Sequence, residues 1–98
     1  MPVFNLHITT PEGNAWDDDA ESISAFAVEG SLTILANHAP MITALKPGVL
    51  KVRDSDQTQF FAAGEGVLEV RVDKQVVLLV DYAEPYSTED EAKKHLEA

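Results

Sequence analysis

Phe4, Leu6 and Ile8 alternate with Asn5, His7 and Thr9 at the start of the chain. A period of two predicts a β-strand with one face on a core and the other toward water or a neighbour. The following stretch, TPEGNAWDDDAE, collects turn formers and acids and reads as an interruption. Strand patterns then resume at SISAFAVE, SLTIL, MITAL, GVLKVRD, TQFFAAG, GVLEVRV and QVVLLVDY. Turn signals separate nearly all of them: Glu29-Gly30, Ala36-Asn37, Pro47-Gly48, Asp54-Ser55-Asp56, Gly64-Glu65-Gly66 and Asp73-Lys74. Short strands with turns about every 8–12 residues favour a sandwich or barrel over alternating strand and helix units. The expected fold is mainly β, a two-sheet β-sandwich spanning residues 1–84.

After Pro85 the pattern changes. In YSTEDEAKKHLEA, Thr88 and Glu91 stand at capping-box spacing, and Lys and His fall in the last turn, where they suit the helix dipole. Glu89 with Lys93 and Asp90 with Lys94 are spaced as helical charge pairs, each contributing ~0.3 kcal/mol. Residues 88–97 therefore read as a short C-terminal α-helix within a helical segment 85–98. So short a helix is marginal alone in water, so it must dock, continue or fray.

The 98 residues carry 7 Lys and Arg against 17 Asp and Glu, a net charge of −10. Binding to DNA or RNA relies on many cationic contacts to phosphate, so a nucleic-acid reader is not expected. Anionic lipid would repel the chain, and no apolar run approaches the ~20 residues of a bilayer-spanning helix. Any membrane association is expected through another protein. The N-terminus alternates from the start and lacks the basic region and apolar block of a secretory signal. With no cysteine, disulfide and thiolate chemistry are excluded, as suits a reducing cytoplasm.

Candidate chemistry is sparse. His38, between Asn37 and Pro40, has no evident nucleophile or orienting carboxylate beside it, though folding could supply a distant one. His7, His38 and His95 share no metal-ligand spacing. Asp17-Asp18-Asp19 lacks the alternate spacing and glycine of a calcium loop and reads as solvated acids beside an exposed Trp16. Gly64 and Gly66 open a strand rather than a helix, so they mark a turn or bulge and not a phosphate cradle. No catalytic residue, metal ligand or cofactor is expected. A different signal comes from SLTILANHAPMITAL, where Leu32, Ile34, Met41, Ile42, Ala44 and Leu45 exceed what one inward face of two short strands needs. Apolar residues left over near a turn mark a protein contact, and methionine adapts to an irregular partner.

Four motifs in order, F.L.I.TPEG, EG.L.IL..HAP.ITALKPG, G.LEV and V.LL.D.AE, resemble the epsilon subunit of F-type ATP synthase, the counterpart of the mitochondrial delta subunit. The resemblance covers residues 3–84. It implies a β-sandwich followed by helix, with no catalytic group, at the foot of the central stalk on the cytoplasmic face of the bacterial inner membrane. Its implied partners are the gamma subunit and the c subunits of the membrane rotor ring, so that ring rotation is coupled to ATP synthesis. By matching positions it implies a gamma-subunit interface at Thr10, His38, Ala39, Met41, Ile42 and Thr43, and a rotor-ring loop at Glu29, Gly30 and Ser31.

Three departures stand out. The usual GELGI is GSLTI, with Ser31 in place of an acid and Thr33 in place of a glycine. The usual PGH is ANH, where Asn37 is among the few non-glycine residues that accept a positive φ. The family commonly ends in a two-helix hairpin that can inhibit hydrolysis, sometimes with a nucleotide site. Here the sequence reaches only the first helix, so neither property is assigned. Two rival readings stay open: a stand-alone β-sandwich adaptor, and an enzyme centred on His38.

Overall fold

The computed structural model describes residues 2–97. In chain order the strands are β1 (Phe4–Thr10), β2 (Gly13–Ala20), β3 (Ser22–Ala27), β4 (Gly30–Leu35), β5 (Met41–Leu45), β6 (Gly48–Arg53), β7 (Thr58–Ala63), β8 (Gly66–Val70), β9 (Gln75–Val80) and β10 (Ala83–Tyr86), followed by helix α1 (Glu89–Glu97). The hydrogen-bonded path runs β10-β7-β6-β3-β5-β8-β9-β1-β2, with β4 paired to β3. The β3–β5 link is a single pair, Ala27 with Leu45. It acts as a corner that folds the path into two layers, β10-β7-β6-β3-β4 and β5-β8-β9-β1-β2. The expected mainly β, two-sheet sandwich with a short C-terminal helix is what forms.

Alternation fills the space between the layers. Leu6, Ile8, Ile23, Ile34, Leu68 and Leu78 are fully buried there, while their strand neighbours face outward. Burying a side chain of this kind contributes about 1.5–3 kcal/mol, and no polar or charged residue is buried among those described. β1 pairs β9 in parallel and every other pairing is antiparallel.

Two elements depart from expectation. TPEGNAWDDDAE is not an interruption but a hairpin turn followed by β2, which pairs β1 along Asp17–Asp19. As an edge strand with one neighbour, β2 tolerates charge, which discourages pairing with foreign strands. Trp16 is half-buried against the core rather than exposed, and its Nε1 donates to the Asp18 carbonyl at 3.1 Å. The second is β10, whose Pro85 falls on an edge strand pairing only β7, where a missing N–H costs no ladder bond.

Helix α1 docks on the outer face of β6, β7 and β10. Ala92 is fully buried against Val49 and Ala62, with Phe60, Tyr86 and Leu96 around them. Thr88 caps the helix, its Oγ1 accepting from the Glu91 amide at 3.2 Å. At the far end His95 Nδ1 shares a 2.7 Å hydrogen bond with the Tyr86 hydroxyl, and the His95 and Tyr82 ring centres lie 5.6 Å apart. Of the anticipated charge pairs, Glu89 and Lys93 meet at 3.4 Å; Asp90 and Lys94 form none among the described residues.

Candidate interaction surface

β4 pairs only β3, and β5 meets β3 only at its last residue. The two strands therefore border an open seam, which the loop from Ala36 to Pro40 crosses from one layer to the other. Asn37 turns it with φ 70°, the left-handed geometry its residue type permits, and the His38 amide donates back to the Leu35 carbonyl at 3.3 Å. His38 Nδ1 lies 2.7 Å from the Ala39 carbonyl. Since a carbonyl only accepts, Nδ1 carries the proton and Nε2 is left for another partner. His38, Ala39 and Pro40 are all exposed.

The seam leads onto the outer face of the second layer. Ile42 lies across from Glu69, which lies across from Val77; Ala44, Val67 and Leu79 form the next row. Ile42 is 71 % exposed, with Val67 and Leu79 at 42 % and 55 %. Farther along, β1 and β2 turn this face polar: His7 Nδ1 lies 2.9 Å from Asp17 Oδ1, and the Thr9 hydroxyl donates to Asn14 Oδ1 at 3.0 Å. The face is thus half apolar and half polar, divided between β9 and β1.

The anticipated residues take distinct places on this body. Ile42 stands at the seam edge of the apolar half. Met41 and Thr43, one residue to either side, are only partly exposed, and Met41 packs on the core. Ile34 and Leu45, counted among the surplus apolar positions, are buried core residues. Thr10 lies at the opposite end from His38, since Thr9 is level with Leu79 and Leu79 with Val67. Its hydroxyl donates to the Gly13 carbonyl and accepts from the Glu12 amide, closing the β1–β2 turn. Glu29, Gly30 and Ser31 are exposed at the tip of the β3–β4 hairpin, with Gly30 at φ 130°. That tip also lies at the end away from His38. The exposed Val67, Val72 and Leu79 were not singled out in the sequence, although VVLLV is apolar at both parities, the mark of a strand covered on both faces.

No group of three or more His, Cys, Asp or Glu gathers for a metal among the described residues. The hollows along the sandwich are shallow surface grooves rather than an enclosed cleft.

Comparison with known proteins gives that surface its context. The family model described as "ATP synthase, Delta/Epsilon chain, beta-sandwich domain" matches residues 3–86. The chain belongs to this family. ATP synthase epsilon chains of Bacillus velezensis and Bacillus pumilus are 37 % and 33 % identical to it, over 95 % and 98 % of this chain and 70 % and 79 % of theirs. In a cryo-EM structure of Euglena gracilis mitochondrial ATP synthase, with OSCP, F1 and c-ring, one chain superposes with a TM-score of 0.80 at 22 % identity. The match covers 99 % of this chain and 64 % of that one. A chain of the Tetrahymena thermophila mitochondrial ATP synthase central stalk and c-ring gives 0.69 at 20 %, over 81 % and 63 %. At such identities the superpositions speak for the fold, and this chain spans just under two-thirds of the superposed chains. As an ATP synthase delta/epsilon chain the protein is a non-catalytic subunit, and the reading centred on a catalytic His38 falls away. Among the described residues no helix is long and apolar enough to cross a membrane.

Proposed function

We propose that this chain is the epsilon-type subunit of a bacterial ATP synthase central stalk, coupling ion-driven rotation to ATP synthesis. It binds the gamma subunit through the seam and outer face that run from His38 and Ala39 past Met41, Ile42 and Thr43 toward Thr10. It meets the c subunits of the rotor ring through Glu29, Gly30 and Ser31. It joins the cytoplasmic face of the membrane only through the complex. The body is the sandwich, which continues through β10 to Tyr86 rather than ending at residue 84, and helix α1 (Glu89–Glu97) braces one outer face.

The observation that carries this reading is the apolar half-face around Ile42, uncovered in a chain whose opposite layer is partly covered by its own helix. A second support is the distance between the His38 end of the first surface and the β3–β4 tip. Five residues of β5 and β8 at about 3.4 Å each set the His38 loop roughly 17 Å from the level of the β3–β4 tip. Rotation loads such contacts sideways. A close-packed double layer transmits that load with little deformation, and a stable interface takes about 800 Å² on each partner.

Co-elution with the gamma subunit of the same organism tests the first contact. Membrane vesicles carrying the Glu29→Lys and His38→Ala double variant test coupling: ATP synthesis driven by the ion gradient is expected to fall while ATP hydrolysis by the soluble sector persists. Unchanged synthesis would leave a stand-alone adaptor as the better account.

A further inference from the structure

A groove lies between the β4–β5 loop and the β8–β9 turn. Its volume is about 230 Å³, below the ~300–1,000 Å³ of small-molecule and cofactor pockets but sufficient for side chains of a partner. The walls include Leu35 and Val72, which are 60 % and 87 % exposed. In a chain with 17 acids and 7 bases, the lining contains Arg71, Lys74 and His38 and no carboxylate.

The backbone that carries the cations is held in place. Lys74 has φ 67° in a tight turn closed by its own amide on the Arg71 carbonyl at 3.2 Å and by the Arg71 amide on the Gln75 carbonyl at 2.8 Å. Among the described residues Lys74 has no ion-pair partner, while Arg71 uses only Nε, toward Glu69 Oε1 at 3.1 Å. The terminal amino groups of Arg71 remain for an incoming oxygen, in the geometry that favours bidentate carboxylate recognition. Pro40, Val70, Arg71 and Val72 also line the next hollow, which reaches Ile42 and where the carboxylates Glu69 and Asp73 enter the lining. The groove is therefore continuous with the apolar face.

We infer that this groove seats a segment of the gamma subunit in which an aliphatic or aromatic side chain is followed by a carboxylate. The apolar side chain enters between Leu35 and Val72, and the carboxylate meets Arg71 and Lys74. The inference rests on the gamma-binding reading above and adds the chemistry of the contact. A locally cationic groove on a chain of net charge −10 also discriminates, because an acidic segment is repelled elsewhere on the surface and retained here.

The test measures binding of the intact chain to the gamma subunit of the same organism across a range of salt. Arg71→Gln with Lys74→Asn removes both charges, and asparagine tolerates the left-handed backbone of position 74. Affinity is expected to fall at least about tenfold and the salt dependence to flatten. Val72→Asp is expected to weaken binding as well. Lys51→Gln with Arg53→Gln, which removes the same charge from exposed positions of β6, should change neither quantity. If the groove variant and the β6 variant bind with the same affinity and the same salt slope, the inference is overturned while gamma binding stands. Wild-type protein that does not bind gamma at all overturns both.

Discussion

Asp54 organises the β6–β7 turn through one side chain. Its Oδ1 accepts from the amides of Asp56 and Gln57, each at 3.0 Å, and its own amide donates to the Gln57 carbonyl at 3.0 Å. The Asp56 amide, more than the two Gln57 bonds, holds the carboxyl below its usual value of 3.8, with desolvation opposing. A depressed folded-state value stabilises the fold above the unfolded value, and that stability drains as pH falls through the folded one. Urea unfolding of Asp54→Ala should therefore show a deficit against wild type at neutral pH that shrinks from 3.8 downward. A deficit unchanged at pH 2 would mean that the charge of Asp54 does not contribute. Gly66 makes a different demand. A Cβ there would lie 1.9 Å from the Leu79 carbonyl oxygen, a backbone group that no rotamer change can move. Gly66→Ala is expected to cost about 3 kcal/mol by overpacking, read as a lowered urea midpoint, whereas a neutral substitution would mean that β8 and β9 part easily.

The helix shows how an element too short to stand alone is kept. Ala92 is its one fully buried residue, small enough to let the backbone approach Val49 and Ala62, and the His95–Tyr86 bond secures its end. Ala92→Glu should detach α1 while the sandwich remains folded, so amides after Ser87 lose exchange protection and those of β8 and β9 keep theirs; protection retained along α1 would contradict the docking account. The expectation of a dock-or-fray helix came directly from its length, its cap and its dipole-matched ends. β1 and the seven strands β3 to β9 were equally readable, because period-two alternation survives wherever one face is buried. The failures share a cause. β2 and β10 are edge strands that keep little alternation of their own: Asp17 to Asp19 are admissible because one side of β2 is open, and Pro85 because β10 needs no outer ladder bond. The parallel register of β1 on β9, set by residues about seventy positions apart, has no local trace either. At the candidate surface, the loop from Ala36 to Ile42 was legible from its surplus of apolar residues. Its counterpart at Val67, Val72 and Leu79 needed the sheet order that places β8 and β9 beside β5.

At the scale of the whole molecule the two faces of one sheet separate stability from recognition. Leu78 points inward and is fully buried; Leu79, its neighbour on β9, points outward and is 55 % exposed. Ile42 shares that outer face. Leu78→Ala removes packed atoms from the core and should cost 2–5 kcal/mol of stability, measured by urea unfolding, yet the molecules still folded should bind gamma with near wild-type affinity. Ile42→Asp removes no core contact, so it should cost at most about 1 kcal/mol of stability, from a β-disfavoured residue facing Glu69 across the ladder. It places a charge in the middle of the proposed interface, where an unpaired, desolvated carboxylate costs several kcal/mol of binding. Binding to gamma should therefore drop by two orders of magnitude or more, which is about 2.7 kcal/mol. The pair of results matters more than either alone. A core variant that lost affinity in proportion to stability, or an Ile42 variant that lost as much stability as the core variant, would mean that this sheet has no division of labour between its faces, and the apolar outer half would then be an extension of the core left bare.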